Sequence, residues 1–268
     1  YDAVFIDIGG ASTEITFIKD RKIHNSASFP FGAVVLTEMF NTSNEISKES
    51  LKAMHAYISS HLETIPWIKN LNVPIVGIGG TVRSITRIDQ KLKRYPFPKI
   101  HNYRFGNIAF KKIYNMLTSV NLENRKKVPG LNSDRADIIT AGAIAIKEIS
   151  DTVKATNFIV SDCGLREGLF FDYYFKSRQE DRVISNILMH SVYNVLLSYN
   201  ADINHAQIVT NSAVEMFDSW QKLHKMSDRS RELLKVASLL HDIGISINYF
   251  NHAKHSAYII ENARLLGL

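Results

Sequence analysis

Two stretches of the chain place acidic, hydroxyl-bearing and glycine residues at spacings suited to phosphate chemistry. In Asp7-Ile8-Gly9-Gly10-Ala11-Ser12-Thr13-Glu14 the glycines let the backbone approach a ligand closely, successive N–H groups can form an anion-binding nest, and Ser12 and Thr13 can add hydroxyl donors. Asp7 ends an apolar run, where a carboxylate is costly to desolvate unless it meets a metal, a water or several donors. A turn-capping aspartate with its glycines is the plainer alternative. In Gly77-Ile78-Gly79-Gly80-Thr81-Val82-Arg83 a glycine turn feeds a helix N-terminus, whose partial positive charge favours phosphate, and Arg83 adds a permanent cation. One such turn is common, whereas two in a single domain, each after a strand, can open on the same edge of a sheet.

The elements that must position these residues are legible in the periodicity. Residues 4–8 and 13–18 read as strands joined in a hairpin by the glycine-bearing turn, with 22–29 a candidate third strand. Leu51, Met54, Ile58, Leu62 and Ile65 recur at helical spacing over 48–65. Residues 73–78 read as a buried strand, with Thr81 as N-cap of the helix that follows. A helix over 136–149 after Ser133 and Asp134, a strand at 158–160 and a helix from Gly164 to Tyr174 continue the α/β alternation. From about Ser177 every periodic run is helical, which predicts an α/β domain over 1–178 and an all-α domain over 179–268.

Composition narrows the class. With 268 residues, 45% hydrophobic and 22% charged, the chain can build two cores. No run approaches the roughly 18 apolar residues of a membrane helix, and no signal peptide is recognisable. The single cysteine, Cys163, excludes an internal disulfide and fits a reducing, cytoplasmic setting. A net charge of +6 favours anionic partners. The basic residues Lys91, Lys93, Arg94, Lys99, Arg104, Arg125, Lys126 and Lys127 form either a ligand-attracting surface or a merely solvated face. The absence of an initiator Met, with Tyr1 directly against a strand, suggests a fragment of a longer protein.

Taken together, these motifs resemble those of the Ppx/GppA phosphatases. Residues 7–14 are similar to that family's DxGGGSxE loop and 77–83 to its GxGGTxR turn. Arg135-Ala136-Asp137-Ile138-Ile139 is similar to its RADxI helix start, and Gly164-Leu165-Arg166-Glu167-Gly168 to its GLREG helix start. The resemblance implies an actin-like/RNase H-like domain of the sugar-kinase-type ATPase superfamily, followed by an all-α HD-like domain, incomplete here. It implies hydrolysis of terminal phosphoanhydride bonds of polyphosphate or of guanosine pentaphosphate, the stringent-response alarmone, assisted by Mg²⁺ or Mn²⁺, with a homodimer as one assembly. Carried over by position, Asp7 holds the cation or its water and Glu14 orients or activates the attacking water. Gly9, Gly10, Ser12, Thr13, Gly79, Gly80, Thr81 and Arg83 then surround the phosphate. Arg135 and Arg166 are either substrate contacts or helix-end ion-pair partners. Ala11 stands where the family has a third glycine, and its Cβ narrows the loop. The family's first domain, with its own phosphate loop and a catalytic glutamate, has no counterpart in these 268 residues, so the fragment is expected to be inactive alone.

Leu239-Leu240-His241-Asp242-Ile243-Gly244 matches the HD signature of metal-dependent phosphohydrolases, with His205 one helical hairpin earlier and His252 and His255 on one helical face. His205, His241 and Asp242 are therefore candidate metal ligands, although in the Ppx/GppA family this domain is chiefly structural. The competing readings are HD-type phosphohydrolase chemistry, a non-catalytic alarmone- or polyphosphate-binding regulator, and an RNA-binding protein using the basic surface. Membrane partners and specific nucleic-acid readout are not expected.

Overall fold

The computed structural model describes residues 2–178 and 184–268. The chain divides into two compact units, Tyr1–Arg182 and Val183–Leu268. The expected boundary after residue 178 falls at residues 179–183, outside those described.

In the first unit, β1 (Ala3–Ile8) buries Val4, Ile6 and Ile8 while Asp7 lies on the opposite, less covered face, as the two-residue period of a strand requires. β1 pairs antiparallel with β2 (Thr13–Lys19), and β2 with β3 (Lys22–Phe29) through a two-residue turn in which Asp20 and Arg21 both take positive φ. There follow α1 (Ala33–Phe40), α2 (Lys48–Glu63), β4 (Ile75–Ile78), α3 (Gly79–Leu92), β5 (Arg104–Phe105), α4 (Asn107–Thr118), α5 (Leu122–Arg125), α6 (Ile139–Val153), β6 (Phe158–Val160) and α7 (Leu165–Arg178). The six strands lie in the order β3-β2-β1-β4-β6-β5. β1, β4 and β6 are mutually parallel, so their carboxyl ends gather on one edge, which is where open α/β sheets place ligands.

The eight residues from Ile139 to Ile146 are all buried, because α6 packs against α1, α2, α3 and α4 at once. Its contact with α3 is close at one point: a Cβ on Gly142 would lie 2.5 Å from Thr81 Cγ2. Thr81 is accordingly a buried packing residue and not the N-cap that its sequence position suggests. The N-cap of α3 is Ile78, with no side-chain bond. Residues 133–138 also differ from expectation: Asn132 caps a 3-10 turn at Ser133–Arg135, and α6 begins only at Ile139.

Arg125 is the largest departure from the surface reading of the basic residues. It is fully buried, and its guanidinium donates to the carbonyl oxygens of Leu117, Ser43, Ala136, Asn44 and Val120. Burial pushes its pKa down, with the nearby Asp137 carboxylate opposing. Five acceptors from three chain segments compensate the desolvated cation.

The second unit is helical: α8 (Ile187–Ser198), α9 (Ile203–Ser219), α10 (Gln221–His224), α11 (Asp228–Leu240) and α12 (His252–Asn262). Leu188, Val192, Leu196, Ala206, Leu239, Leu240, Ile243 and Ile259 form its core. Ser256 Oγ donates to His241 O and accepts from Gly244 N, and a Cβ on Gly244 would lie 2.2 Å from His252 O. The start of α12 is thereby clamped onto the turn that follows α11. No helix among the described residues is long and apolar enough to cross a membrane.

Candidate functional site

The turn between β1 and β2 is docked on α1. Gly9 O accepts from Ala33 N at 2.9 Å, and Gly10 O from Val34 N at 2.9 Å and Val35 N at 3.2 Å, so the loop carbonyls satisfy the first amides of that helix. With those carbonyls turned towards α1 and Gly9 N bonded to Ser12 O, the exposed amides of Gly10 and Ala11 have no acceptor among the described residues. They are the donors the loop can offer an anion. Ala11 has no positive φ, so its Cβ costs no backbone strain there. Gly32, a position without a signal of its own, makes the docking possible: a Cβ on it would lie 2.5 Å from Gly10 C and O.

Asp7 and Glu14 are direct cross-strand partners. Burial pushes the Asp7 carboxyl above the usual carboxylate range, the Glu14 charge adds to the rise, and Arg83 opposes it. Gly79, at φ +82°, opens α3 where a Cβ would meet Asp7 Oδ1 at 2.4 Å. The Asp7 carboxylate therefore sits at the N-terminus of α3, against the second glycine turn. Arg135 reaches the same turn, since a Cβ on Gly80 would lie 2.1 Å from its Nη1. The bond from Arg125 to Ala136 O, the next residue, holds that segment in place. Arg83 donates from Nη2 to Asp162 O at 2.9 Å, and its Nε lies 3.7 Å from Asp162 Oδ1. Glu14 accepts from Ser28 Oγ at 3.2 Å.

The fold thus brings together Asp7, Glu14, Gly79, Gly80, Arg83 and Arg135, with the Gly9–Gly10 turn continuing β1. It directs Thr13 and Thr81 inward instead: Thr13 is fully buried and donates to Phe31 O at 2.6 Å, while Thr81 packs on Gly142. Ser12 is half-buried in the loop. Arg166 is exposed in the first turn of α7, where Gly164 N donates to Glu167 Oε2, and no interaction among the described residues ties it to the two turns. Asp162 escaped the sequence reading, and His101, whose Nδ1 accepts from Asp162 N, is unremarkable in sequence because it has no partner pattern there. The available signal was an aspartate just after the 158–160 strand, mirroring Asp7 at the end of β1.

In the helical unit Asp242 lies among three imidazoles. His241 Nε2 is 3.2 Å and His205 Nε2 3.4 Å from its Oδ2, and His252 Nε2 is 3.4 Å from its Oδ1. His205, His241 and Asp242 are within reach of a single ion.

A mixed α/β sheet with glycine turns at the carboxyl ends of its parallel strands, followed by a separate helical unit, defines a two-unit α/β protein whose site suits an anion. The chain belongs to the Ppx/GppA phosphatase family: residues 2–177 match that family, and residues 187–268 match Ppx/GppA phosphatase domain III. It is 27% identical over 276 residues to the guanosine-5′-triphosphate,3′-diphosphate pyrophosphatase of Aeromonas hydrophila, covering 98% of this chain and 51% of that protein. It is 31% identical over 160 residues to the bifunctional 3-dehydroquinate synthase/phosphatase of Fusobacterium nucleatum, covering 58% of this chain and 24% of that protein. Among solved structures, an Aquifex aeolicus Ppx/GppA phosphatase superposes with a TM-score of 0.56 at 29% identity, covering 63% of this chain and 56% of that one. An exopolyphosphatase from Cytophaga hutchinsonii shares the fold, with a TM-score of 0.59 at 20% identity over 69% of this chain and 59% of that one. The chain spans about half the length (51%) of the guanosine-5′-triphosphate,3′-diphosphate pyrophosphatases it matches.

Proposed function

We propose that the first unit forms one wall of a phosphoanhydride hydrolase site acting on the terminal phosphate of inorganic polyphosphate or of guanosine pentaphosphate. The observation that carries this reading is the placement of the Asp7 carboxylate, with Glu14 as its strand partner, against the N-terminus of α3 beside Arg83 and Arg135. The amides of Gly10 and Ala11 and the Gly79–Gly80 turn receive phosphate oxygens, while Arg83 and Arg135 offset their charge. Glu14, the more exposed carboxylate, orients or activates the attacking water.

A Mg²⁺ or Mn²⁺ ion fits Asp7 on chemical grounds: a carboxylate raised by burial, and further by a like-charged neighbour, is one whose ionised form a divalent cation would restore. When bound, the ion would neutralise developing charge on the transferring phosphoryl group. Asp7 would hold it or its water.

In the same reading the first unit is the second actin-like domain, residues 1–178, of a cytoplasmic enzyme, and residues 179–268 are an HD-like domain. Because phosphoryl transfer needs donors on both sides of the transferring group, the 268-residue chain alone should bind polyphosphate but release phosphate slowly. The test compares phosphate release from polyphosphate and guanosine pentaphosphate, with Mg²⁺, by this chain and by the longest protein its gene encodes. Turnover by the longer protein that is lost on Asp7→Asn supports the reading. Binding without turnover in both would establish a non-catalytic regulator, and turnover that survives Asp7→Asn but vanishes with His241→Ala would place the chemistry in the helical unit.

A further inference from the structure

We propose that the cleft between the start of α4 and the end of α6 binds the phosphate group of a small phosphorylated molecule, at the edge of the sheet opposite the two glycine turns. Nothing in this proposal passes through Asp7, Glu14 or Arg83, so it stands or falls separately from the hydrolase reading.

The topology fixes where the cleft lies. β5 runs antiparallel to β6, with Phe105 opposite Phe158, and α4 begins directly after its N-cap Gly106. α6 ends at Val153, shortly before β6 opens at Phe158. Both walls therefore stand at the amino ends of the parallel strands, whereas the glycine turns follow the carboxyl ends of β1 and β4. Between the walls is a cavity of about 480 Å³, a size typical of small-molecule sites. Asn107 Nδ2 donates to Ala155 O at 2.7 Å and ties one wall to the other.

The charge of the lining selects for an anion. Lys111, Lys147 and Lys154 border the cavity together with one carboxylate, that of Asp151. Asp151 is already ion-paired with Lys147, one turn away on α6. Lys111 and Lys154 are exposed and make no ion pair among the described residues, so two cations beside the cavity are left without a counter-charge. The end of α6 presents no open carbonyl to an incoming anion. Its last four carbonyl oxygens, on Ser150, Asp151, Thr152 and Val153, accept from the amides of Ala155, Lys154, Asn70 and Asn72 respectively.

Unused donors point the same way. Ser150 is only 7% exposed and lines the cavity, yet its hydroxyl has no hydrogen-bond partner among the described residues. A buried hydroxyl left without a partner is costly, and one that borders a cavity is completed by what occupies it. Across the cleft, α4 opens with no side-chain cap and no acidic residue in its first turn. Phe110 N is taken up by Gly106 O, whereas the amides of Asn107, Ile108 and Ala109 have no acceptor among the described residues. Ammonium, hydroxyl and helix-start amides are all donors, and the three acceptor oxygens of a phosphate group use more of them than the two of a carboxylate. Phe110 and Ala155, both buried, supply an apolar floor for the rest of the ligand.

The test follows backbone amide NMR shifts of the isotopically labelled 268-residue chain as pyrophosphate, adenosine monophosphate or acetate is added at constant ionic strength. Pyrophosphate stands for an oligophosphate end and adenosine monophosphate for a phosphate monoester, so their relative affinities identify which source of phosphate the cleft takes. We expect saturable shifts of Asn107, Ile108, Ala109 and Ser150 with at least one of the two, and none with acetate. Lys111→Gln combined with Lys154→Gln should weaken that binding by about tenfold or more, and Ser150→Ala should weaken it less, while Arg83→Gln leaves it unchanged. Both lysines are exposed, and circular dichroism separates lost binding from lost folding. Shifts at Gly10 and Ala11 report on the other edge of the sheet, so failure there and failure here are read separately. Absence of saturable shifts at Asn107–Ala109 and Ser150 at millimolar ligand would overturn the proposal. So would equal shifts with acetate, which would mean charge attraction without a phosphate site, and so would binding that survives the double lysine substitution.

Discussion

A Cβ on Gly79 would stand 2.4 Å from Oδ1 of Asp7, although 72 positions separate the two residues in sequence. The carboxylate can lie at the N-terminus of α3 only because position 79 lacks a side chain and accepts φ +82°. Gly79→Ala should therefore cost about 1–2 kcal/mol from the left-handed backbone alone, before the clash is counted. It should also push Asp7 away from the turn, so that loss of activity in the longest encoded protein exceeds what the fall in folded fraction explains. Denaturant unfolding alongside turnover per folded molecule checks both parts.

Glu14→Gln in that longer protein should lower turnover by roughly 10² or more with a modest change in substrate binding, as expected for losing a general base or water-orienting group. The substitution keeps the size of the side chain and an acceptor for Ser28 Oγ. A variant retaining most of the wild-type turnover would remove Glu14 from the mechanism.

Asp7→Asn should have opposite effects on activity and stability. The folded-state pKa of Asp7 is raised, so between its ordinary value near 3.8 and the raised value the native state holds more proton than the unfolded chain. Stability then falls as pH rises through that window, and at neutral pH the ionised carboxylate is a net cost. The asparagine variant should unfold at a higher temperature than wild type at pH 7, with the difference shrinking toward pH 4. Water around the half-exposed group screens part of the effect. Added Mg²⁺ should narrow the gap from the wild-type side if Asp7 holds the ion. An asparagine variant less stable than wild type at pH 7 would contradict this account of the carboxyl group.

Arg125→Met should destabilise the first unit by about 3–5 kcal/mol, because five carbonyl oxygens, those of Leu117 and Ala136 in buried residues, lose their shared donor. Arg125→Lys should recover little, since one ammonium cannot reach acceptors arranged around a planar fork. Both variants free the segment that carries Arg135, so affinity for polyphosphate should fall even where the protein remains folded. Urea midpoints and salt-controlled binding measurements test the two effects separately.

Much of this protein is written locally. The two-residue alternation of β1, the glycine turns after β1 and β4, the helical repeat over α2 and the aspartate of Leu240-His241-Asp242 all depend on neighbours within a few positions, and periodicity or turn chemistry reveals such relationships directly. The four Ppx/GppA-like motifs, and with them the family, could be read in the same way. The remainder depended on which distant segments meet. Nothing local distinguishes Arg125 from Lys126 and Lys127 beside it; what buries it is the convergence of residues 43–44, 117–120 and 136 around one guanidinium. Thr13 and Thr81 look like phosphate-binding hydroxyls in their motifs and become packing residues because Phe31 and Gly142 arrive from other elements. Gly32 matters only because α1 docks on the Gly9–Gly10 turn, and His252 meets Asp242 only because Ser256 clamps α12 onto the end of α11. Short-range order follows from sterics within one element. Close contacts between elements are set by how the whole core packs, and a single sequence does not encode them in any local period.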